Sequence, residues 1–491
     1  MLDALYRQSL FLLTDLYQIT MAYGYWKAGM CDHEAVFNLH FRKNPFGGGY
    51  SVVAGLNLAI EYIQQFRATA DDIEYLASLT AHDGSPLFEP GFLEYLQTLE
   101  FDGDIDAMPE GTVAFPFEPL IRVRGPLITC QLLETPLLNI VNFSTLVATK
   151  AARVCEAAAG EPVLEFGLRR AQGIDGSLTA SRAAYIGGCA ATSNVLAGKL
   201  FGIPVRGTHA HSWVMCFDGE PEAFRAYAEA MPNNCVFLVD TYDTIEGVRH
   251  AVEVGRWLRE RGKKLLGIRL DSGDLAYLSQ RAREILDAAG FTEAQIVASN
   301  DLDEYTIKSL REQGAAIAVW GVGTKLVTCF DQPALGGVYK LSAIRAPGEE
   351  WKYRVKLSEQ FIKISTPGLL QVRRFTHGTE AIGDAIYDEA SAPDDGWTIV
   401  DPLDMTRRKR MLANAPHEDL LKPIYRQGNL VSNQPTLEEI RRRVREQLGL
   451  FHEGVRRFEN PHQYPAGLEA GLHQRKMKLI MEARGFTAEE V

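Results

Sequence analysis

The stretch Leu265-Leu266-Gly267-Ile268-Arg269-Leu270-Asp271-Ser272-Gly273-Asp274 is a short apolar run that stops at a polar cluster. A run of this length suits a strand buried on both faces, and Asp, Ser and Gly at its end supply turn-forming and ligand-binding groups. The pattern recurs on both sides. Apolar runs at 163–166, 203–205, 236–239, 296–298 and 316–320 end in Gly167-Leu168-Arg169-Arg170, Gly207-Thr208-His209-Ala210-His211-Ser212, Asp240-Thr241-Tyr242-Asp243, Ser299-Asn300-Asp301 and Gly321-Val322-Gly323-Thr324-Lys325. Between the runs, residues 181–200, 220–231, 244–261, 275–289 and 302–313 have helical character. Such alternation predicts parallel strands joined by crossover helices. An open doubly wound sheet would gather polar ends at its switch point, but here every strand carries one. The expectation is therefore an α/β barrel with its site at the C-terminal rim of the strands.

The ends of the chain lack this rhythm. Residues 1–130 mix helix, apolar alternation and Gly-rich turns, and 336–400 hold short strand-like pieces, including 353–357 and 361–364. These flanks are expected to form a mixed β-rich domain beside the barrel of 131–335, with 401–491 as a C-terminal helical extension. There, Thr436 and Glu439 have the spacing of a capping box, and Arg441, Arg442, Arg443 and Arg445 read as a solvated helix face. The turn from Asn44 to Gly49 reads as a loop.

Composition narrows the function. A formal net charge of -12 over 491 residues argues against a duplex nucleic-acid binder, whose affinity comes from excess Lys and Arg, yet leaves room for a small phosphorylated ligand. The apolar run at 10–13 is interrupted by Thr14 and Asp15 long before the roughly 20 residues a membrane span requires, and nothing reads as a cleaved signal. The seven cysteines form no CxxC pair and read as reduced core thiols of a cytoplasmic protein.

Three clusters carry candidate chemistry. His209 and His211 form an HxH pair that could share zinc, but further His and Asp ligands at other strand ends are wanting, so a zinc hydrolase is an outsider. A hydrogen-bonded core role suits His209 better than His211. Arg269, Asp271 and Asp274 place a cation and two carboxylates in one strand-to-helix turn; Arg can grip an anion bidentately, and Asp can hold ribose hydroxyls or metal-bound waters. Ser272 and Asp274 also suit helix caps, whereas a cation within an apolar strand needs a partner. Gly323 and Thr324 lie where backbone amides can approach phosphate.

Taken in order, Thr14-Asp15-Leu16-Tyr17-Gln18, Phe41-Arg42-Lys43-Asn44-Pro45-Phe46, Glu165-Phe166-Gly167-Leu168-Arg169-Arg170, the 208–212 phrase, 269–274, 321–328 and Asn460-Pro461-His462-Gln463-Tyr464-Pro465 resemble the nicotinate phosphoribosyltransferase family. The resemblance implies an irregular α/β barrel beside a mixed β-rich domain, in a homodimer with interfacial active sites. It implies that Tyr17, from the partner subunit, and Phe166 sandwich the pyridine ring. It further implies that Arg169, Thr208 and Arg269 contact substrate, with Arg269 on the nicotinate carboxylate, and that Gly323 and Thr324 hold the phosphoribosyl phosphate. Asp271 would orient ribose or metal-bound water, and His211 would be phosphorylated by ATP. The implied reaction joins nicotinate to phosphoribosyl pyrophosphate, with Mg²⁺ as cofactor and ATP as cosubstrate, in NAD salvage. Ser193 stands where the nicotinamide-specific relative has Asp, which favours the acid as substrate. Nicotinamide or quinolinate transfer is the alternative, and a noncatalytic pyridine-nucleotide sensor would share the same pocket residues.

Overall fold

Six short strands set the frame of the central part of the chain: β1 Val163–Glu165, β2 Ala191–Thr192, β3 Val236–Leu238, β4 Gly267–Leu270, β5 Gln295–Ala298 and β6 Val319–Val322. All pair in parallel, in the order β2-β1-β6-β5-β4-β3. The computed structural model describes residues 9–412 and 414–486. It divides into two units, one of residues 146–333 and one of 1–145 with 334–491.

In the 146–333 unit, helices Gly173–Gly187, Val195–Phe201, Glu220–Ala230, Thr244–Glu260, Leu275–Ala288 and Glu304–Glu312 separate the strands. Three start alike: Asp243, Asp274 and Asp303 each lie at the N-cap and accept a backbone N–H from the first turn. Asp274 is thus a cap, as one reading of the sequence allowed. Ser272 instead donates to Asp240 at 2.7 Å.

The sheet closes irregularly. Beyond β2, Thr192 makes one parallel bridge to Val205, and from the same run His209 reaches the opposite edge, where its Nε2 accepts the Leu238 N–H of β3 at 3.3 Å. One stretch, 205–209, therefore touches both edges of the sheet, and the barrel is sealed by a bridge and an imidazole rather than by a ladder. The expected strand at 203–205 is reduced to that single bridge because Pro204 has no N–H to donate.

The helix expected over 181–200 is two helices with β2 between them. Gly188, at φ +127, ends the first, and buried Cys189 and Ala191, with half-buried Ala190 between them, run on into β2 and its sheet. Close approach elsewhere is equally tight. A Cβ on Gly247 would lie 2.0 Å from the Val239 carbonyl oxygen, so helix Thr244–Glu260 sits directly on the end of β3. Lys150 and Arg153 grip Glu304 at 2.6 and 2.8 Å, all three fully buried, anchoring the start of helix Glu304–Glu312. Cys189, Cys235 and Cys329 are buried, but Cys216 is exposed, so the core-thiol reading fails for it.

The other unit holds a seven-stranded antiparallel sheet in the order 352–353, 338–345, 34–40, 121–126, 104–107, 422–426, 429–430. A mixed six-stranded sheet contains Leu370–His377 and Glu380–Asp388. Of the strand-like pieces expected at 353–357 and 361–364, the first shrinks to Lys352–Tyr353 and the second is a 3-10 turn, Phe361–Lys363. The Thr436–Glu439 capping box forms and opens helix Leu437–Gly449. Arg374 and Asp384, both fully buried, pair at 2.6 Å, and the Tyr464 hydroxyl donates to the same carboxylate at 2.8 Å. Burial and Asp384 beside it hold the Glu118 carboxyl well above the carboxylate range, against the pull of Arg374.

Gly247→Ala is expected to lower stability by about 1–3 kcal/mol through overpacking against β3. An unchanged thermal unfolding midpoint would contradict that direct helix-to-strand contact.

Candidate active site at the strand ends of the barrel

Arg269 sits in β4 in register with Val297 of β5, and Val297 lines the cavity inside the barrel, so the two side chains share the inner face. Nη1 donates to the Thr208 hydroxyl at 2.6 Å. Nε is buried with no hydrogen-bond partner. Burial pushes the guanidinium pKa below its ordinary value, opposed by Asp271 and Asp240 and reinforced by repulsion from Arg169. Taking a cation from water is costly unless it is paired, so a half-buried guanidinium whose buried Nε is unused is set up for an anion.

Beside it lies an aromatic face. The chain leaves β1 at Phe166, whose N–H donates to the Val322 carbonyl at 2.8 Å. A Cβ on Gly321 would meet the Phe166 ring at 2.7 Å, so the ring occupies the space a side chain would need. Gly323 follows, with its α-carbon against the Phe166 carbonyl, and Thr324 opens the short helix Thr324–Val327. The cavity, of about 1060 Å³, is bounded by Phe166 and Thr208 toward the rim and reaches Leu265 and Gln295 at the other end of the strands.

Carboxylates and His211 occupy the next two strand ends. The Asp240 carboxylate accepts the Asp271 N–H at 2.8 Å and the Ser272 hydroxyl, while its Oδ1 is buried without a partner. Asp271 accepts the Ser299 hydroxyl on one oxygen and places the other 3.7 Å from His211 Nε2. The Nδ1 of His211 lies 3.2 Å from the Thr241 hydroxyl. A carboxylate opposite Nε2 favours the proton there and leaves the Nδ1 lone pair to Thr241. The loop after β5 is strained: Asn300 and Asp301 have φ +102 and +37. Non-glycine residues in that region cluster at functional sites.

Of the residues singled out in the sequence, Thr208, Arg269, Phe166, Gly323, His211 and Asp271 gather at consecutive strand ends. Arg169 lies in the exposed turn Leu168–Arg170, close enough to repel Arg269. Tyr17 belongs to the other unit, in helix Leu16–Lys27, where it is 47% exposed.

Two further residues shape the site without a distinct sequence signature of function. Asp240 was visible only as one member of a polar cluster. Glu165 is fully buried and accepts from Ser181 at 2.8 Å, from Thr192 at 2.5 Å and from the Gly167 N–H, tying the Phe166 turn to the segment that carries Ser193. A lone carboxylate inside an apolar run was its signal. The other unit gathers cations that no sequence spacing reveals. Strand pairing sets Asn38 opposite Lys340, with His40 two residues on. Burial, then Arg42, Lys476 and Lys340, push the His40 pKa down to about 3.

The fold and site define a barrel protein whose strand ends present an anion-seeking guanidinium, an aromatic face, paired carboxylates and a polarised histidine. Three family profiles cover most of the chain: the nicotinate phosphoribosyltransferase N-terminal domain over residues 12–142, the nicotinate phosphoribosyltransferase family over 162–354 and its C-terminal domain over 371–476. The nicotinate phosphoribosyltransferase of Bacillus subtilis strain 168 is 45% identical over 488 residues, 98% of either chain. The crystal structure of human nicotinic acid phosphoribosyltransferase superposes with a TM-score of 0.83 at 34% identity, covering 95% of this chain and 99% of that one. Nicotinate-nucleotide pyrophosphorylase from Pyrococcus furiosus, at 22% identity and a TM-score of 0.69, shares the fold. The chain belongs to the nicotinate phosphoribosyltransferase family.

His209 supplies a pH test of the barrel. Burial lowers its pKa from 6.5 to about 4, with Arg269 and His211 adding repulsion against the Ala210 carbonyl. The folded state thus binds fewer protons than the unfolded one between these values. Its contribution is complete above about pH 6.5 and lost as pH falls toward about 4, amounting to on the order of 3 kcal/mol. Thermal unfolding across this window should show a steeper acid loss in the wild type than in His209→Phe; equal slopes would contradict the assignment.

Proposed function

We propose that this chain joins nicotinate to the ribose 5-phosphate of phosphoribosyl pyrophosphate, forming nicotinate mononucleotide and pyrophosphate in NAD biosynthesis, with ATP hydrolysis coupled through phosphorylation of His211. The observation that carries the choice of acceptor is Arg269, half-buried, hydrogen-bonded to Thr208 and with a buried, unused Nε donor. A planar carboxylate satisfies such a group; a neutral amide does not supply the charge. Phe166 over Gly321 offers one face for a pyridine ring. Family membership supports the same reading.

In the proposed reaction the pyridine nitrogen attacks C1 of the ribose as pyrophosphate departs, so no protein nucleophile toward the sugar is needed. The chain's part is to hold nitrogen and C1 in line and to balance charge. Gly323 and Thr324 would take the 5-phosphate at the backbone, and Asp271 would orient the ribose. Arg169, exposed at the rim, would meet substrate as it enters.

Among the described residues no group of three or more His, Cys, Asp and Glu is arranged to hold a metal. Mg²⁺ is commonly held by one or two carboxylates and substrate phosphates. The unpartnered Oδ1 of Asp240 and the rim carboxylate Asp271 fit its water shell. When bound, Mg²⁺ would offset charge on the leaving pyrophosphate.

His211 lies between Thr241 and Asp271, and its Nδ1 lone pair, once the Thr241 hydroxyl turns away, would accept a phosphoryl group from ATP with release of ADP. Later hydrolysis of the phosphohistidine would drive product formation. A homodimer would bring Tyr17 of a second copy to the other face of the pyridine. The same pocket in a noncatalytic sensor would bind without turnover, which a single-turnover assay separates.

Purified protein with phosphoribosyl pyrophosphate and Mg²⁺ is expected to yield nicotinate mononucleotide selectively over the nicotinamide product, faster with ATP and with ADP appearing alongside. Mass spectrometry finding no mononucleotide from either acceptor would remove the reading. Arg269→Gln should raise KM for nicotinate on the order of 100-fold and narrow the preference over nicotinamide, since a charge-assisted contact is lost. His211→Ala should keep ATP-independent turnover and lose stimulation by ATP; full stimulation would eliminate the phosphohistidine.

A further inference from the structure

His209 lies between two residues of the proposed site, Thr208 and His211, yet its ring turns away from them. It is buried, and Phe224, Tyr227 and Phe237 surround it, with ring centroids 6.0, 5.0 and 6.4 Å away. Phe224 and Phe237 stack on each other at 4.7 Å, so the cage is itself rigid. Within it, Nε2 accepts the Leu238 N–H at 3.3 Å. An acceptor Nε2 requires the proton on Nδ1, whose neighbour is the Ala210 carbonyl oxygen at 3.4 Å.

The Leu238 N–H belongs to β3, an edge strand whose outer side has no ladder partner, and a buried N–H needs an acceptor. Between Val205, bridged to Thr192, and helix His211–Met215, this hydrogen bond fixes the 206–210 run against β3. The Thr208 hydroxyl meets Arg269 only if that run holds its distance from β4, and β4 is the next strand beyond β3.

We infer that His209 is a positioning residue: as a neutral acceptor for the Leu238 N–H it closes the barrel seam, and so sets Thr208 against Arg269 and His211 against Asp271. The inference rests on the proposed function for its kinetic consequence but not for its geometry. No zinc role is left to the HxH pair in this arrangement, since Nε2 is occupied by an N–H donor and Nδ1 carries the proton.

The test begins with wild-type protein carrying ¹⁵N-labelled His and Leu. His209 Nε2 should be unprotonated and coupled through the hydrogen bond to the Leu238 amide nitrogen; a protonated Nε2 overturns the inference whether or not the enzyme turns over. Two variants then separate acceptor from packing. His209→Phe keeps an aromatic ring in the cage and removes the acceptor. His209→Gln restores an acceptor at similar reach without the ring. For His209→Phe, Leu238 amide exchange should speed up and KM for nicotinate rise, each by at least about tenfold, as expected for one buried hydrogen bond lost. His209→Gln should return both toward wild type. Wild-type exchange and KM in His209→Phe, or a His209→Gln protein no better than it, would overturn the inference. A wild-type protein that makes no mononucleotide would sink the proposed function while leaving the Leu238 coupling to decide this point.

Discussion

A guanidinium inside a barrel is expensive to keep. Arg269 occupies a strand whose other residues are buried and apolar, and its one direct partner is a hydroxyl. Asp271 and Asp240 lower the cost through their charge without forming a salt bridge to it. Much of the strand-end architecture follows from that arrangement. Asp240 is braced by the Asp271 backbone and by Ser272, and Asp271 by Ser299, so the carboxylates are held where they attract the cation yet leave its Nε unused. What the cation offers in return is an unused donor carrying positive charge at the strand ends.

The aromatic side of the pocket solves a different problem. A flat ligand needs a flat wall, and Phe166 becomes one only because β6 has glycine at 321 and its own N–H is fixed by Val322. Glu165 then secures the turn from behind through Ser181, Thr192 and Gly167. The wall is therefore built from strand-embedded positions rather than from a mobile loop, which suits a site that must hold two reactants in line.

How much of this was legible in the sequence depended on distance along the chain. Parallel strands with polar ends were readable because each strand and its cluster are adjacent in sequence, and Arg269, Asp271, His211 and Gly323 were visible for the same reason. Asp274 could be read as a cap since a cap acts within one turn. What could not be read were partnerships across sequence: His209 with Leu238, Asp240 with Asp271, and Asn38 with Lys340 some 300 positions away. The single helix read over 181–200 ran across a break because Ala, a strong helix former, recurs through the stretch, while the break depends on one glycine at positive φ and on a neighbouring strand that local pattern does not reveal.

The seam at His209 gives the barrel a property that a ladder would deny it. Strands joined throughout by backbone hydrogen bonds have a girth fixed in steps of one strand spacing, roughly 4.8 Å. Here one joint is a 3.3 Å hydrogen bond to an imidazole, so the spacing across it follows the reach of a side chain. The mouth of the pocket is thus gauged by a side chain, and a substitution at one position could resize the opening without recasting any strand.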